Sequence, residues 1–400
     1  MDLLVVTQYF YPEEFKINDL VRTFIERGYN VCVLTGKPNY PKGQFYKGYS
    51  FSGTAYEEYY GAKVIRVPLL KRGKGGSLRL ILNYFSFVFF ASYFLLTNRI
   101  KADSVFCFGT SPLLQAIPAI ISKKQNHCKL SIWYQDLWPE SVFAVTKLKN
   151  KELGSVLNRI VKFIYKNTDN ILVQSPAFSE SILQRGDFSK KIIYAPNWAE
   201  DIFSDTKSVS RQKYKKLIPD GFIVMYAGNI GVAQDIPAIL EAANILKEYP
   251  QIHFVVVGDG REMDKAEAIV NNYSLQKSVH FLGRYSYAEM PNFYVHADVM
   301  IASLKDEEIF ALTIPSRIQS YMAFGKPIVT MLTGVGNDII EEAKCGLTAK
   351  SGDYNKFAEN ILTLAQADKQ TLVKMGDNAR KYYVNNFDKT KVVNTIIDKL

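Results

Sequence analysis

The chain is poor in the residues that usually announce a metal centre or a covalent scaffold. Its 400 residues hold four cysteines, four histidines and three tryptophans. Cys32, Cys107, Cys128 and Cys345 show neither zinc-like nor disulfide-like spacing, which excludes a cysteine-built framework. Cys32 and Cys107 sit in apolar runs and read as buried thiols of a cytosolic protein. His127, His253, His280 and His296 are scattered, and there is no HExxH, no P-loop and no Cys/His cluster. Gly258-Asp259-Gly260 follows an apolar run but does not complete GxGxxG, so a dehydrogenase fingerprint is absent. No DxD-like carboxylate pair stands at a strand end, and no metal is expected. Met1-Asp2 runs straight into apolar Leu3–Val6 without a basic leader region, so no secretory signal is expected. Low-complexity tracts and solenoid-period repeats are missing.

What remains is a well-packed globular sequence, 48% hydrophobic and 13% aromatic, long enough for two domains. The net charge of +10 is uneven. Residues 1–200 carry 26 Lys+Arg against 15 Asp+Glu; residues 201–400 carry 23 against 24. A basic first half suggests an anionic surface as partner, either a bilayer or a nucleic acid.

Short apolar runs alternate with helical stretches along the whole chain. Leu3–Val6, a helix closed by Gly28, and Val31–Thr35 form a βαβ unit, which implies a parallel sheet. Gly36–Gly53 is a long loop rich in Lys, Tyr, Pro and Gly, of the kind that is functional or mobile. Strand Lys63–Val67 leads to a basic Gly-rich loop with Lys71, Arg72, Lys74 and Arg79. The run Leu80–Leu96 follows, at the lower length limit of a membrane span, roughly 17 residues. It contains Asn83, Ser86 and Ser92, so a buried crossover helix ranks ahead of a span. A third reading packs this helix in the domain but turns an aromatic edge to a membrane, with the basic loop on anionic headgroups. Four later strands end at Gly109–Pro112, Gln135–Glu140, Ser175-Pro176 and Pro196–Trp198. In open α/β sheets ligands bind outside such carboxyl ends, so these loops form one wall of a site. Polar Ala199–Asp220 reads as a linker, after which a second α/β series begins at Phe222.

The second series centres on Ala302–Val329, ASLKDEEIFALTIPSRIQSYMAFGKPIV. An apolar strand ends at Ser303, a polar loop carries Lys305–Glu308, and Pro315-Ser316 opens a short helix that Gly325 closes. Strand, loop, helix start and return strand Ile328–Met331 make an anion site from free amides and the helix dipole. A nucleotide diphosphate is the expected occupant. Tyr226–Asp235, with Gly228 and Gly231, is a second strand-to-helix turn open to a phosphate, though such turns are common without ligands. Asp306-Glu307-Glu308 is either a solvated loop or a contact to a sugar.

In order, Tyr226–Asp235, Val255–Gly260, Phe281–Arg284, Ala297–Val299 and Pro315–Pro327 resemble the GT-B nucleotide-sugar glycosyltransferases, in particular glycosyltransferase family 4. The first half resembles a bacterial polysaccharide subgroup similar to L-fucosamine transferases of O-antigen and capsule assembly. That likeness rests on Gln8–Glu13, Leu34–Pro41, Gln135–Ser141 and Pro196–Glu200. The resemblance implies two Rossmann-like doubly wound domains facing each other across a cleft. Residues 1–200 would be the acceptor-binding, membrane-facing domain and 201–375 the nucleotide-sugar domain, with 376–400 a helix packing back on the first. It also implies a metal-independent transfer from a UDP-sugar, plausibly N-acetyl-L-fucosamine or a related amino sugar, with no cofactor. The acceptor would be an undecaprenyl-diphosphate-linked sugar at the cytoplasmic face of the plasma membrane. Nucleic acid is not an expected partner.

The implied donor-binding set is Gly228, Asn229, Ile230, Gly258, Arg261, Arg284, Lys305, Thr313, Pro315, Ser316 and Ser320; the catalytic candidates are Asp136, Glu140, Arg317 and Glu308. Amides near Gly228–Ile230 and Thr313–Ser316, with Arg317 and Lys305, would carry the leaving diphosphate's charge. Three departures stand out. Asn229 and Gln234 occupy places where the family has Arg and Lys. Ser320 replaces the ribose-binding Glu. Gln135, followed by Asp136, replaces a His, which leaves a base-assisted, inverting route open beside the family's retaining rule. A UDP-sugar 2-epimerase of the same architecture and a non-catalytic basic protein are the alternatives.

Overall fold

A computed structural model of the chain describes residues 1–73, 77–140, 151–204 and 209–400. Lys74 of the basic loop and Ser141 of the Gln135–Ser141 motif lie outside the described residues. The chain divides into two compact units, Met1–Pro196 with Val393–Leu400, and Asn197–Val392.

Unit 1 is built on an eight-stranded sheet of order β3-β4-β2-β1-β5-β6-β7-β8. Its strands are β1 (Asp2–Val6), β2 (Asn30–Gly36), β3 (Ala55–Tyr59), β4 (Ala62–Val67), β5 (Ser104–Gly109), β6 (Lys129–Tyr134), β7 (Asn170–Val173) and β8 (Ile192–Tyr194). All pairings are parallel except β3 with β4. The strands read as unbroken apolar runs because helices cover both faces of a parallel sheet. The hairpin strand β3 lies in a stretch without such a run. Its turn, Tyr60-Gly61, takes positive φ at both positions (51° and 92°), the backbone of a tight two-residue hairpin. Helices α1 (Lys16–Glu26), α2 (Ser77–Thr97), α3 (Ala116–Asn126), α4 (Lys151–Asn167) and α5 (Phe178–Leu183) complete the unit.

The run Leu80–Leu96 lies within α2. By length and composition alone, Leu78–Thr97 could cross a membrane. In the fold one face of it is a core face: Asn83, Phe87, Ala91 and Leu95 are fully buried at four-residue spacing. Asn83 ties the helix to three loops. Its Nδ2 donates to Leu70 O at 2.5 Å and to Asn39 Oδ1 at 3.4 Å, and its Oδ1 accepts from Gln8 Nε2 at 2.8 Å.

Unit 2 holds a six-stranded, all-parallel sheet of order β11-β10-β9-β12-β13-β14. The strands are β9 (Phe222–Ala227), β10 (Ile252–Val257), β11 (Val279–Gly283), β12 (Val299–Ser303), β13 (Ile328–Met331) and β14 (Gly346–Ala349). Counted within the unit, this is the 3-2-1-4-5-6 order of dinucleotide-binding sheets. The order reverses between β9 and β12, and that switch point is where such sheets hold ligands. The helices are α6 (Ile236–Ile245), α7 (Met263–Asn272), α8 (Met290–Tyr294), α9 (Glu308–Ala311), α10 (Ser316–Phe324), α11 (Val335–Ala343), α12 (Tyr354–Ala365), α13 (Lys369–Asn386) and α14 (Lys389–Ile397).

The C-terminal residues divide differently from the expected single helix over 376–400. Ala379, Tyr383 and Phe387 belong to the core of unit 2, and Gly376 lies against the Gly325 carbonyl. Only Val393–Leu400 pack in unit 1, where Lys399 O accepts from Ser131 Oγ and Asn170 Nδ2. The expected linker Ala199–Asp220 also shifts: Ala199 and Phe203 are buried in unit 2, not part of a solvated tether.

Candidate functional site

At the switch point of unit 2 two backbone loops abut. Gly258 has φ +159°, and a Cβ there would fall 1.9 Å from the Gly228 carbonyl oxygen. A Cβ on Gly260 would fall 2.1 Å from Ile230 O. Only glycine permits this approach. The contact corrects one expectation. The Gly228 N–H donates to Val257 O at 3.0 Å and the Ile230 N–H to Asp259 O at 2.9 Å. The Gly231 N–H donates to Gln234 Oε1, and the Thr313 N–H to Phe310 O. These amides serve the fold and are not donors to a ligand.

The donors come instead from α10. Its N-cap residue, Pro315, offers no side-chain cap; the Ile318 N–H donates to Pro315 O at 2.9 Å, which leaves the amides of Ser316 and Arg317 without a capping side chain. The helix is fixed to β9 by Tyr321, whose hydroxyl accepts from Ala227 N at 3.1 Å and donates to Ala227 O at 3.2 Å. One turn earlier stands Arg317. Its guanidinium lies 4.6 Å from the Tyr226 ring centroid and over Gly228, where a Cβ would meet Nη2 at 3.2 Å. Its Nη1 is buried and has no acceptor in the fold. Arg317 is half-buried, and its buried, unused Nη1 beside a helix start without a side-chain cap has the chemistry an anion would need.

Other expected residues fall around this point to different degrees. The loop after β12 is bound to the loop after β9: Lys305 N–H donates to Ala233 O at 2.9 Å, and Ser303 Oγ to Gln234 O. Lys305 is half-buried and close enough to Asp235 to oppose the rise in that carboxyl's pKa that burial causes. Asn229 Nδ2 and Gln234 Oε1 bond each other at 3.2 Å. The places where the family carries cations are thus a polar clasp on the loop. Arg261 is exposed, on a backbone next to Ile230, whose carbonyl accepts from Glu262 N at 3.1 Å. Thr313 Oγ1 donates to Ile309 O. Ser316 is exposed at the first position of α10, and Glu308 is exposed at the first position of α9. Arg284 is not brought to the switch point. It follows the edge strand β11, two strands from β9, which is about 10 Å of sheet.

Ser320 is buried, and its Oγ lies 3.3 Å from the Tyr287 hydroxyl. That hydroxyl donates to Glu200 Oε2 in a short hydrogen bond. A carboxylate therefore stands behind Ser320 although none is near it in sequence.

In unit 1 the expected carboxylates separate. Asp136 follows β6, and its Oδ2 accepts from Ser111 N at 3.1 Å, at the carboxyl ends of β5 and β6. Glu140 is engaged by its own unit: Oε1 pairs with Arg185 Nη2 at 2.7 Å and accepts from Ser181 Oγ at 2.6 Å. Glu13 carried no expectation. It is fully buried and accepts from the amides of Asn39 at 2.8 Å, Tyr40 at 2.7 Å and Phe10 at 3.2 Å. Burial raises its pKa to about 7 against these bonds. Its only sequence signal was membership in Gln8–Glu13. Beside it Arg72 donates to Tyr9 Oη at 2.8 Å and stacks among the rings of Tyr9, Tyr40 and Tyr84.

Residues 209–382 match the family Glycosyl transferases group 1. That match lies within the second unit and spans less than half of the chain. The chain is a glycosyltransferase. WcaI of Escherichia coli, named for colanic acid biosynthesis, is 24% identical over 96% of this chain and 94% of its own. WbjE of Pseudomonas aeruginosa, named as a glycosyltransferase, is 24% identical over 69% of this chain and 70% of its own. Among solved structures, Anabaena HepE in complex with UDP superposes with a TM-score of 0.71 at 15% identity, covering 100% of this chain and 99% of its own. WaaG, a glycosyltransferase involved in lipopolysaccharide biosynthesis, gives 0.69 at 16% identity, covering 100% and 99%. The glycosyltransferase has the GT-B fold. Among its described residues no group of three or more His, Cys, Asp and Glu is placed to hold a metal ion.

Proposed function

We propose that this glycosyltransferase moves a sugar from a UDP-sugar to a lipid-diphosphate-linked sugar during bacterial polysaccharide synthesis. The observation that carries the donor half is Arg317: a half-buried arginine with a buried, unused Nη1, over Gly228, at the start of α10, which has no side-chain cap. A diphosphate there would meet a fixed positive charge that strengthens its hold as the glycosyl bond breaks and charge grows on the leaving oxygen. Lys305 is the second cation of the site. The Glu200–Tyr287–Ser320 chain offers an acceptor for a nucleoside hydroxyl where the family has a glutamate. UDP is the preferred nucleotide because HepE was solved with UDP. The polysaccharide setting follows the names of WcaI and WaaG. Membership of glycosyltransferase family 4 and an amino-sugar donor of the N-acetyl-L-fucosamine kind come from the sequence resemblance.

The acceptor half rests on unit 1. Asp136 is the carboxylate free to meet the acceptor hydroxyl, since Glu140 is held by Arg185. On the outer face of α2, Leu78, Leu82, Phe85, Phe89, Tyr93 and Leu96 are 43–69% exposed and form one stripe at three- and four-residue spacing. Lys71, Arg72 and Arg79 stand at its N-terminal end and Arg99 and Lys101 beyond the other. An apolar stripe between cationic ends suits an anionic bilayer, and we place the enzyme on the cytoplasmic membrane face by this helix. The reaction needs no metal in this reading. The test is transfer from a panel of UDP-sugars to a lipid-diphosphate sugar in EDTA. UDP release that requires the acceptor supports the function; donor conversion without acceptor, or silence with every UDP-sugar, refutes it.

A further inference from the structure

We infer that unit 1 carries a binding groove for a single hydrocarbon chain, opening onto the face of α2 that would meet a bilayer. This rests on the reading of a lipid-linked acceptor. The groove has a volume of about 460 Å³ and lies beside the C-terminal half of α2. Phe89, Phe90, Tyr93 and Phe94 form one wall, and Tyr56 and Pro68 the other. Phe89 and Tyr93 are also members of the exposed stripe, so the groove opens onto the same face. Their rings lie nearly parallel, 9° apart at 6.5 Å, and Phe51 closes on Phe90 edge-to-face at 5.8 Å.

Size, lining and charge choose the occupant. A cavity of this volume suits one small-molecule ligand. A second protein copy would need about 800 Å² per partner and would have to insert a side chain into the groove. The lining is mainly aromatic and presents no cation or carboxylate, which argues against a phosphate as the group held. The cations stand at the other end of the helix: Arg79 is ten residues before Phe89, about 15 Å along the axis. Arg79 folds over Gly73, next to Arg72. A molecule with an anionic head and a long apolar tail would thus place its phosphate at the Arg72–Arg79 end and its chain in the groove. Exposing Tyr56, Phe89 and Tyr93 costs free energy in water that a bound chain would recover, about 25 cal/mol per Å² covered.

The full-length protein would be irradiated with an isoprenyl diphosphate whose tail carries a benzophenone, and the adducts mapped by proteolysis. Adducts on residues 51–56 and 89–98, displaced by unlabelled geranylgeranyl diphosphate and not by UDP, are expected. Thr54→Trp and, separately, Asn98→Trp fill the groove from its rim and should cut labelling at least tenfold. Both should leave flotation with phosphatidylglycerol vesicles unchanged, whereas Phe85→Glu should abolish flotation and spare labelling. Labelling that maps elsewhere, or survives both tryptophan variants, overturns the groove. So does a stable dimer in sedimentation that blocks labelling, since the face would then belong to a second copy. Groove labelling without vesicle binding would remove the membrane reading and leave the groove standing.

Discussion

Replacing Arg317 by methionine separates a ligand-binding arginine from a structural one, because the two roles move stability and affinity in opposite directions. Methionine keeps most of the side chain's length and its contact with the Tyr226 ring but removes the charge and the donors. In the unliganded protein Nη1 is buried without an acceptor, and such a group costs about 1–3 kcal/mol. Removing it returns that amount. The loss of the cation over Tyr226 takes back about 0.5–2 kcal/mol, of which a thioether on a ring restores about 0.3–1.5 kcal/mol. The unliganded variant should therefore lie between about 1 kcal/mol less stable and about 3 kcal/mol more stable than the wild type. With UDP bound the balance shifts against the variant. A charge-assisted hydrogen bond is worth about 1.5–3 kcal/mol, so UDP should bind about 10- to 150-fold more weakly at 1.4 kcal/mol per decade. Thermal unfolding with and without saturating UDP reads both quantities, and calorimetric titration checks the second. Arg317→Lys keeps the charge without the fork and should fall between. The reasoning fails if Arg317→Met lowers unliganded stability by more than about 2 kcal/mol and leaves the UDP-induced shift intact. Arg317 would then be a core residue and the anion site would lie elsewhere.

Other substitutions test the surrounding framework. Gly258→Ala drives a Cβ to within 1.9 Å of a backbone oxygen and should cost about 3 kcal/mol or more in urea unfolding; an unchanged midpoint would mean that the two loops do not abut. Glu140→Gln should lower stability by about 1–3 kcal/mol through the loss of its bond to Arg185 while leaving turnover within about threefold; a turnover loss of 100-fold would restore it as a catalytic group. Glu13 supplies a pH test: its folded pKa of about 7 lies above the value near 4.3 of an unfolded chain. A raised folded pKa favours the native state at low pH. Its contribution should fall between about pH 4.3 and 7, by roughly 4 kcal/mol in all. Glu13→Gln should flatten that part of the profile, and a wild-type and variant difference that ignores pH would refute it.

How much of this was legible in the sequence follows from the range of each interaction. The parallel strands were readable because a strand covered on both faces must be apolar throughout, as in Val105–Phe108 and Val255–Val257. Helix α10 was readable from Pro315 and Gly325, since caps are local chemistry. Strand β3 was not, because AYEEY alternates and resembles a polar loop. Site residues divided along the same line. Gly228 and Gly258 signalled special backbone, but not that the Gly228 amide is taken by Val257 O and the Gly258 amide by Gly283 O, since those partners are far along the chain. Glu13 gave no sign of binding amides 26 and 27 residues on. Nor could Ser320 reveal a carboxylate 120 positions earlier, reached through Tyr287. The departures at Asn229 and Gln234 move the expected positive charge to Arg317 or Lys305, and Ser320 keeps a hydroxyl for a ribose. In the fold the Tyr321 hydroxyl fixes α10 to Ala227, and one turn before it Arg317 reaches over Gly228. A positive charge at the phosphate loop therefore does not require a basic residue in that loop. Any sequence that preserves the Tyr321 anchor and a guanidinium four residues earlier can let Asn229 and Gln234 drift to neutral side chains.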